Sequence, residues 1–346
     1  MTAEGIEMIE VQDRWVTFHP PEGATYLVGD FTDWDDKLIP LTGAVTLEFP
    51  RGAYIEYAYF DADKQPIADP TNPVRPKHPW HDFDRVVTLP SNDFKEPPRP
   101  QTFRGHVYDH RMFSQAFGCQ RTYYVYEPNL PPVATLYVHD GEGYYQKLYF
   151  HEVTEALLER GEIQPVRLVM IEPQDREKEY WFNERYEAFL LREILPEVDQ
   201  RYGATEERGL WGASLGGMVS AWLAWRNPQL FTKVGSQSGC FTADPEGGDE
   251  YHDPEWLTEQ FAASARRSVR FYLDTGQIEW LLAPNRRFAA MLVDKGYPHD
   301  YQERPGGHNW ATWEQGLEPG LTYLFGVKDR PSLYYNPASS VATEMR

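Results

Sequence analysis

A chain of 346 residues, 41% of them hydrophobic, is long enough for two cores, one of them large enough for a full α/β domain. Its 53 acidic against 33 basic side chains leave a formal charge of −20, which argues against nucleic acid and anionic membranes as partners and requires local cations wherever an anion binds. Two cysteines, Cys119 and Cys240, argue for a reducing compartment over a disulfide scaffold, and no run approaches the roughly eighteen apolar residues of a membrane span.

The opening Met1-Thr2-Ala3-Glu4-Gly5-Ile6-Glu7 is acidic and has no apolar centre, so it does not read as a secretory signal and a soluble cytoplasmic protein is expected. From Ile9 to about Leu89 short alternating runs recur, as in Arg14-Trp15-Val16-Thr17-Phe18, Thr25-Tyr26-Leu27-Val28 and Tyr54-Ile55-Glu56-Tyr57-Ala58-Tyr59. Pro20-Pro21-Glu22-Gly23, Asp33-Trp34-Asp35-Asp36 and Asp69-Pro70-Thr71-Asn72-Pro73 separate them as turns. This spacing predicts a small antiparallel sandwich over residues 1–95. Trp34 and Trp80 have faces that would stack on a sugar, although a tryptophan here also serves as a core plug, the reading preferred for Trp34.

Pro90 to Pro100 reads as a stiff extended linker. Beyond it, residues 96–330 alternate strands with helices, the pattern of a mostly parallel sheet. Strands are predicted at Thr122–Tyr126, Thr135–Val138, Arg167–Ile171, Gly209–Gly212, Lys233–Ser236, Val269–Leu273 and Tyr301–Glu303. An amphipathic helix is predicted from Asn183, as N-cap, to Tyr202, with Tyr186, Phe189, Leu190, Ile194 and Val198 on one face. Residues 331–346 form a tail of mostly small or polar residues at its end.

Within this region Gly212-Ala213-Ser214-Leu215-Gly216 is a G-x-S-x-G run between a short buried strand and an apolar helix that Asn227-Pro228 stops. That context makes Ser214 a candidate nucleophile on a sharp turn, with the flanking glycines allowing close backbone approach. A serine hydroxyl needs a base, and His308, in the loop Arg304-Pro305-Gly306-Gly307-His308-Asn309-Trp310, follows it in the chain. Two carboxylates compete to orient that histidine: Asp274 at a strand end, and Glu279, preferred because its loop should overhang the site. Leu215 and one of Gly141 or Glu142, in the loop after Ala134-Thr135-Leu136-Tyr137-Val138, are the expected backbone donors to an oxyanion. Arg185 is the candidate for orienting a substrate oxygen or carboxylate, its rival role being an ion pair on the helix face.

These stretches, together with Arg121-Thr122-Tyr123-Tyr124-Val125-Tyr126-Glu127-Pro128, Glu184-Arg185-Tyr186-Glu187 and Ser236-Gln237-Ser238-Gly239, resemble the enterochelin-esterase type of the esterase D family. The resemblance implies an α/β-hydrolase domain with a mostly parallel central sheet, preceded by an early-set immunoglobulin-like module that Gly29-Asp30-Phe31-Thr32-Asp33-Trp34 also suggests. It implies a serine carboxylesterase working through an acyl-enzyme without a cofactor, and an ester of a ferric catechol siderophore as substrate. In that family the acid follows a glycine by three positions, as Glu279 follows Gly276, and aspartate commonly stands where this chain has Asn309.

Three other readings compete. His106 and His110 have the spacing of two metal ligands on one helical face, but the run reads as a strand and offers no third ligand. A ligand- or carbohydrate-binding protein with an inactive hydrolase domain would keep the fold. A general carboxylesterase or a feruloyl or acetyl esterase would keep the chemistry. The expected partner is a small-molecule ester, with a homodimer also compatible with the sequence.

Overall fold

Short segments in the N-terminal part pair antiparallel, the outer strands burying one face and the central strand both. The computed structural model of the protein describes residues 9–34, 37–246 and 255–327; the extreme N-terminus, Asp35-Asp36 and the tail lie outside them. In chain order the first strands are β1 (Ile9–Gln12), β2 (Trp15–Phe18), β3 (Tyr26–Gly29), β4 (Ile39–Pro40), β5 (Val45–Glu48), β6 (Tyr54–Phe60), β7 (Pro66–Ile67) and β8 (Arg85–Thr88). One antiparallel sheet runs β1-β2-β5; the other runs β4-β3-β6-β7, with β8 added to β6. Val16 and Phe18 point inward while Trp15 faces solvent, and they share a core with Leu27, Ile55, Tyr57 and Tyr59 of the second sheet. Trp34 is not in that core: it packs with Val28, Ala58 and Phe60 as a separate small cluster.

The proline-rich stretch is extended but not free. Phe94 stacks on Tyr54 at 5.5 Å, and Lys95 exchanges hydrogen bonds with the Gln315 side chain at 2.8 Å each way. Arg99 reaches Glu152 at 3.5 Å. It is therefore a strap between the two parts of the molecule, where composition alone suggested a spacer.

The remaining strands are β9 (His106–Ser114), β10 (Cys119–Glu127), β11 (Ala134–His139), β12 (Val166–Ile171), β13 (Glu207–Ala213), β14 (Lys233–Gln237), β15 (Arg270–Gly276) and β16 (His299–Arg304). They form an eight-stranded sheet in the order β16-β15-β14-β13-β11-β12-β10-β9. From β12 to β16 all pairings are parallel, and β10 and β9 extend the edge antiparallel. Strands β11 and β12 are buried at every position, as expected where helices cover both faces. The chain leaves β11 for β12 on one side and returns as β13 on the other. That reversal makes the carboxyl ends of β11 and β13 the switch point of the sheet.

The predicted helix from Asn183 to Tyr202 forms, with Asn183 Oδ1 accepting from the Arg185 N–H at 2.8 Å. Its middle, Leu190–Ile194, widens to a π turn before Leu195–Tyr202. Pro196, which lacks an N–H and crowds the preceding turn, supplies the cause.

The core around β13 has no spare volume. Trp211 is fully buried and stacks on Tyr272 at 5.7 Å with an 11° tilt. A Cβ at Gly235, on the neighbouring strand, would overlap the Trp211 ring. Gly235→Ala is expected to cost about 1–3 kcal/mol by overpacking, read as a lower urea midpoint at unchanged slope.

Candidate active site

The strand-to-helix turn after β13 is as sharp as the sequence required. Ser214 sits at φ 56°, ψ −122°, a left-handed conformation costly for a residue with a side chain. It heads the helix Leu215–Arg226, so the Leu215 N–H is the first of that helix. The glycines have defined tasks: a Cβ at Gly212 would lie 2.5 Å from the Gly216 backbone. The Ser214 N–H is fixed to the Gln237 carbonyl at 2.8 Å, and its carbonyl accepts from Cys240 N–H at 3.0 Å.

His308 and Glu279 meet although 29 residues separate them: His308 Nδ1–H donates to Glu279 Oε2 at 2.8 Å, with the carboxylate fully shielded from solvent. The other Glu279 oxygen accepts from the Thr275 hydroxyl and from Gly276 N–H at 3.3 Å. Trp280 and Trp313 flank the imidazole at 4.5 and 5.0 Å. Asp274 is engaged elsewhere. Strand β15 runs on to Gly276, so Asp274 lies within it and accepts from Tyr272 at 3.0 Å, Gln237 at 3.2 Å and Arg304 at 3.4 Å. Burial pushes its carboxyl up to about 6, which Arg304 partly offsets. Gln237, from the Ser236-Gln237-Ser238-Gly239 run, is the hub of this network: it also accepts from Tyr144 at 2.9 Å and Trp211 at 3.1 Å and donates to the Trp313 carbonyl at 2.7 Å. That motif therefore supports the floor of the site.

Ser214 and His308 open into one cavity of about 460 Å³ at the carboxyl ends of the strands, walled by Trp80, Lys147, Arg176 and Trp310. A larger cavity of about 800 Å³, with Arg266, Arg267 and Arg270, lies at the amino ends of the strands, away from the switch point. In the loop after β11, the Glu142 N–H is occupied by the Glu172 carboxylate at 2.7 Å, whose pKa burial raises to about 7. Of the two donors expected there, Glu142 is thus already bonded. Gly141 packs so tightly on the β12 backbone that a Cβ would lie 2.5 Å from the Met170 carbonyl carbon.

Arg185 does not reach the site. Its guanidinium donates to the Ala116 carbonyl and covers the Phe117 ring at 5.4 Å, because its helix presents it to the β9–β10 turn. The arginine in the cavity wall is Arg176, which sequence reasoning missed. It forks onto both oxygens of Asp140 at 2.7 and 2.9 Å and reaches the Ala213 carbonyl at 3.0 Å, joining the loop after β11 to the turn before Ser214. Its own loop is held by Glu179, which accepts from the N–H groups of Gln174 and Asp175 at 3.0 and 3.2 Å while pairing with buried Arg121 at 2.6 Å. The signal available was Asp140, an acid at a strand's carboxyl end that requires a cation. His106 and His110 lie in β9, where both stack on Tyr108, and among the described residues no cluster of three metal-ligating groups occurs. Both cysteines are free.

The N-terminal sheets clamp the loops that carry Glu279 and His308. Asp30 is fully buried, and one of its oxygens accepts from Glu56 N–H at 2.8 Å and from Asn309 Nδ2 at 3.0 Å. Asn309 Oδ1 in turn caps the next helix through Thr312 N–H at 2.9 Å. Tyr54 N–H donates to Pro305 at 2.9 Å, and a Cβ on Gly307 would collide with the Asp30 side chain. Ile278, beside Glu279, packs on the same N-terminal core. Position 309 is an amide because it must donate to a carboxylate on one side and accept on the other.

A parallel sheet with a strained serine at its switch point, a histidine loop behind it and a buried acid on that histidine defines an α/β-hydrolase. The family model "Putative esterase" matches residues 114–324, and the chain belongs to that esterase family, as a carboxylic ester hydrolase. Among curated relatives it is 26% identical over 230 residues to the uncharacterized protein YbbA of Bacillus subtilis, covering 57% of this chain and 87% of that one. It is also 26% identical over 203 residues to the iron(III) enterobactin esterase of Escherichia coli O6:H1, covering 56% of this chain and half (50%) of that relative. The solved structure of the enterobactin esterase FES from Shigella flexneri superposes with a TM-score of 0.68 at 21% identity, covering 92% of this chain and 96% of that chain. No helix among the described residues is long and apolar enough to cross a membrane.

Burial raises Asp30 to about 7, helped by the nearby Glu279 charge and opposed by its hydrogen bonds, while Glu56 beside it is also raised. The folded protein therefore holds protons that the unfolded chain has released, and this part of stability falls as pH rises from about 4 to about 7. Asp30→Asn is expected to flatten thermal stability over that window. Asn309→Asp, which sets a second carboxylate against the first, is expected to lower Tm roughly twice as much at pH 8 as at pH 5, read by calorimetry.

Proposed function

We propose that the protein hydrolyses esters through an acyl-enzyme on Ser214. His308 takes the hydroxyl proton as Ser214 Oγ bonds to the carbonyl carbon, and returns it to the leaving alkoxide as the ester C–O bond breaks. Water then attacks the acyl-enzyme, giving a proton to His308, and the carboxylic acid leaves as Ser214 recovers its hydroxyl. Glu279 holds the imidazole tautomer that accepts the first proton and stabilises the imidazolium that follows. The Leu215 N–H, at a helix N-terminus, and the Gly141 N–H are the donors assigned to the oxyanion. The observation that carries this reading is the 2.8 Å His308–Glu279 hydrogen bond beside a cavity that Ser214 also lines. Residues 1–95 are taken as a separate module that completes the pocket, with the hydrolase domain at 96–330.

The substrate favoured is the ester backbone of a ferric catechol siderophore. The relatives named for enterobactin support it, as does a cavity walled by three tryptophans, one of them, Trp80, from the N-terminal module. Bulky aromatic esters suit such walls better than short acyl groups do.

Ser214→Ala is expected to lose about a thousandfold or more in kcat on 4-nitrophenyl acetate while folding normally; near wild-type turnover refutes the mechanism. Glu279→Gln is expected to reduce kcat well beyond Asp274→Asn, whose main effect falls on stability, both compared at equal folded fraction.

For the substrate, kcat/KM on ferric enterobactin is expected to exceed that on feruloyl and short-chain esters by roughly tenfold or more, and the reverse order makes the protein a general carboxylesterase.

A further inference from the structure

The cavity of about 800 Å³ lies at the amino ends of the strands, at the opposite end of the sheet from Ser214. Arg266 and Arg267, just past the helix Trp256–Ala263, line it together with Arg270, which opens β15, and Lys233, which opens β14. Among the described residues no carboxylate bridges any of the three guanidiniums; neutral groups hold them instead. Arg266 donates to the Gly296 carbonyl at 2.8 Å, Arg267 to the Ser264 hydroxyl at 2.6 Å and the Ala265 carbonyl at 3.2 Å, and Arg270 to the Tyr323 carbonyl at 3.3 Å. Arg267 also covers the Trp225 ring at 4.9 Å, and Arg270 the Tyr323 ring at 5.3 Å.

Such contacts fix a guanidinium without compensating its charge, and they leave most of its five N–H donors unused. The acids in the lining are Glu206 and Glu207, and Glu207 already bridges Lys233 at 2.8 Å. Four cations thus face two carboxylates in a chain whose formal charge is −20. The hydroxyl of Thr232, another lining residue, is buried without a hydrogen-bond partner, while Val133, Leu324 and Phe325 give the cavity an apolar side. Cations anchored in advance spare a ligand the cost of ordering them. Each exposed ion pair contributes little by itself, so a ligand held here needs several charged groups in one molecule.

We propose that this cavity binds a small organic polyanion, a molecule carrying two or more phosphate or carboxylate groups, through Arg266, Arg267 and Arg270. A guanidinium fork matches the paired oxygens of either group, and the apolar side accommodates the carbon frame that joins them. The site is independent of the roles assigned to Ser214 and His308.

Isothermal titration of the full chain with inorganic pyrophosphate and with citrate, at constant ionic strength, tests it. At least one of the two is expected to bind one to one and roughly tenfold or more tightly than acetate, with affinity falling as salt is added. Stronger binding of pyrophosphate assigns phosphate groups to the ligand, and stronger binding of citrate assigns carboxylates. Arg267→Gln and Arg270→Gln are each expected to weaken the binding about tenfold at an unchanged urea midpoint. Arg270→Lys, which keeps the charge and loses the fork, is expected to weaken it less, and it stands in for the glutamine variant should that fail to fold. Arg75→Gln, which removes an exposed arginine outside the cavity, is expected to leave it unchanged. No saturable binding of either anion, or affinity that Arg267→Gln and Arg270→Gln alter no more than Arg75→Gln does, overturns the site.

Discussion

The arrangement of the loops that carry Glu279 and His308 depends on the buried contact between Asp30 and Asn309. A histidine loop rich in glycine has little intrinsic preference for one conformation, and ordering it costs about 1–2 kcal/mol per residue. Here the cost is offset by docking the loop on the N-terminal sheets, where Asp30 and Tyr54 hold different parts of it. The loop carrying Glu279 rests on the same surface through Ile278. Both partners of the His308–Glu279 hydrogen bond are thus positioned from outside the hydrolase sheet. The N-terminal sheets then contribute to the placing of His308 and Glu279, and Trp80 to the wall of the adjoining cavity.

A second constraint is the separation of the buried acids. Asp274, inside β15, and Glu279, just past its end, lie five residues apart, yet each has its own partners. Asp274 is bound into the Gln237–Arg304–Tyr272 network, and Glu279 is directed at His308. Arg176 pairs with Asp140 beside the serine turn, so that carboxylate's charge is compensated at the cavity wall. With those charges spent, the electrostatic character of the cavity falls to Lys147, Glu142 and Glu172.

Much of the hydrolase half was legible because its signals are local. The G-x-S-x-G run, the apolar strands and the N-capped helix each follow from neighbouring residues, and the structure brings Ser214, His308 and Glu279 to one end of the sheet. The misassignments came from contacts between distant segments. Arg185 looked suited to a substrate because nothing nearby revealed that its helix turns it toward Ala116, whereas Arg176 is useful only once Asp140 is beside it. Asn309 read as a departure from a family pattern; its reason, Asp30, lies 279 residues earlier. Trp80 was one of two exposed-tryptophan candidates, and only the docking of the two halves places it over the cavity and Trp34 against the outer face of a sheet.

Covalent trapping tests the central assignment most directly. Incubation with a 4-nitrophenyl alkylphosphonate, followed by intact-mass and peptide mapping, is expected to place one adduct per chain on Ser214 and to slow sharply in His308→Ala, because an activated serine is needed to displace 4-nitrophenolate from phosphorus. An adduct on a different residue, or labelling of Ser214 at the same rate without His308, would contradict it.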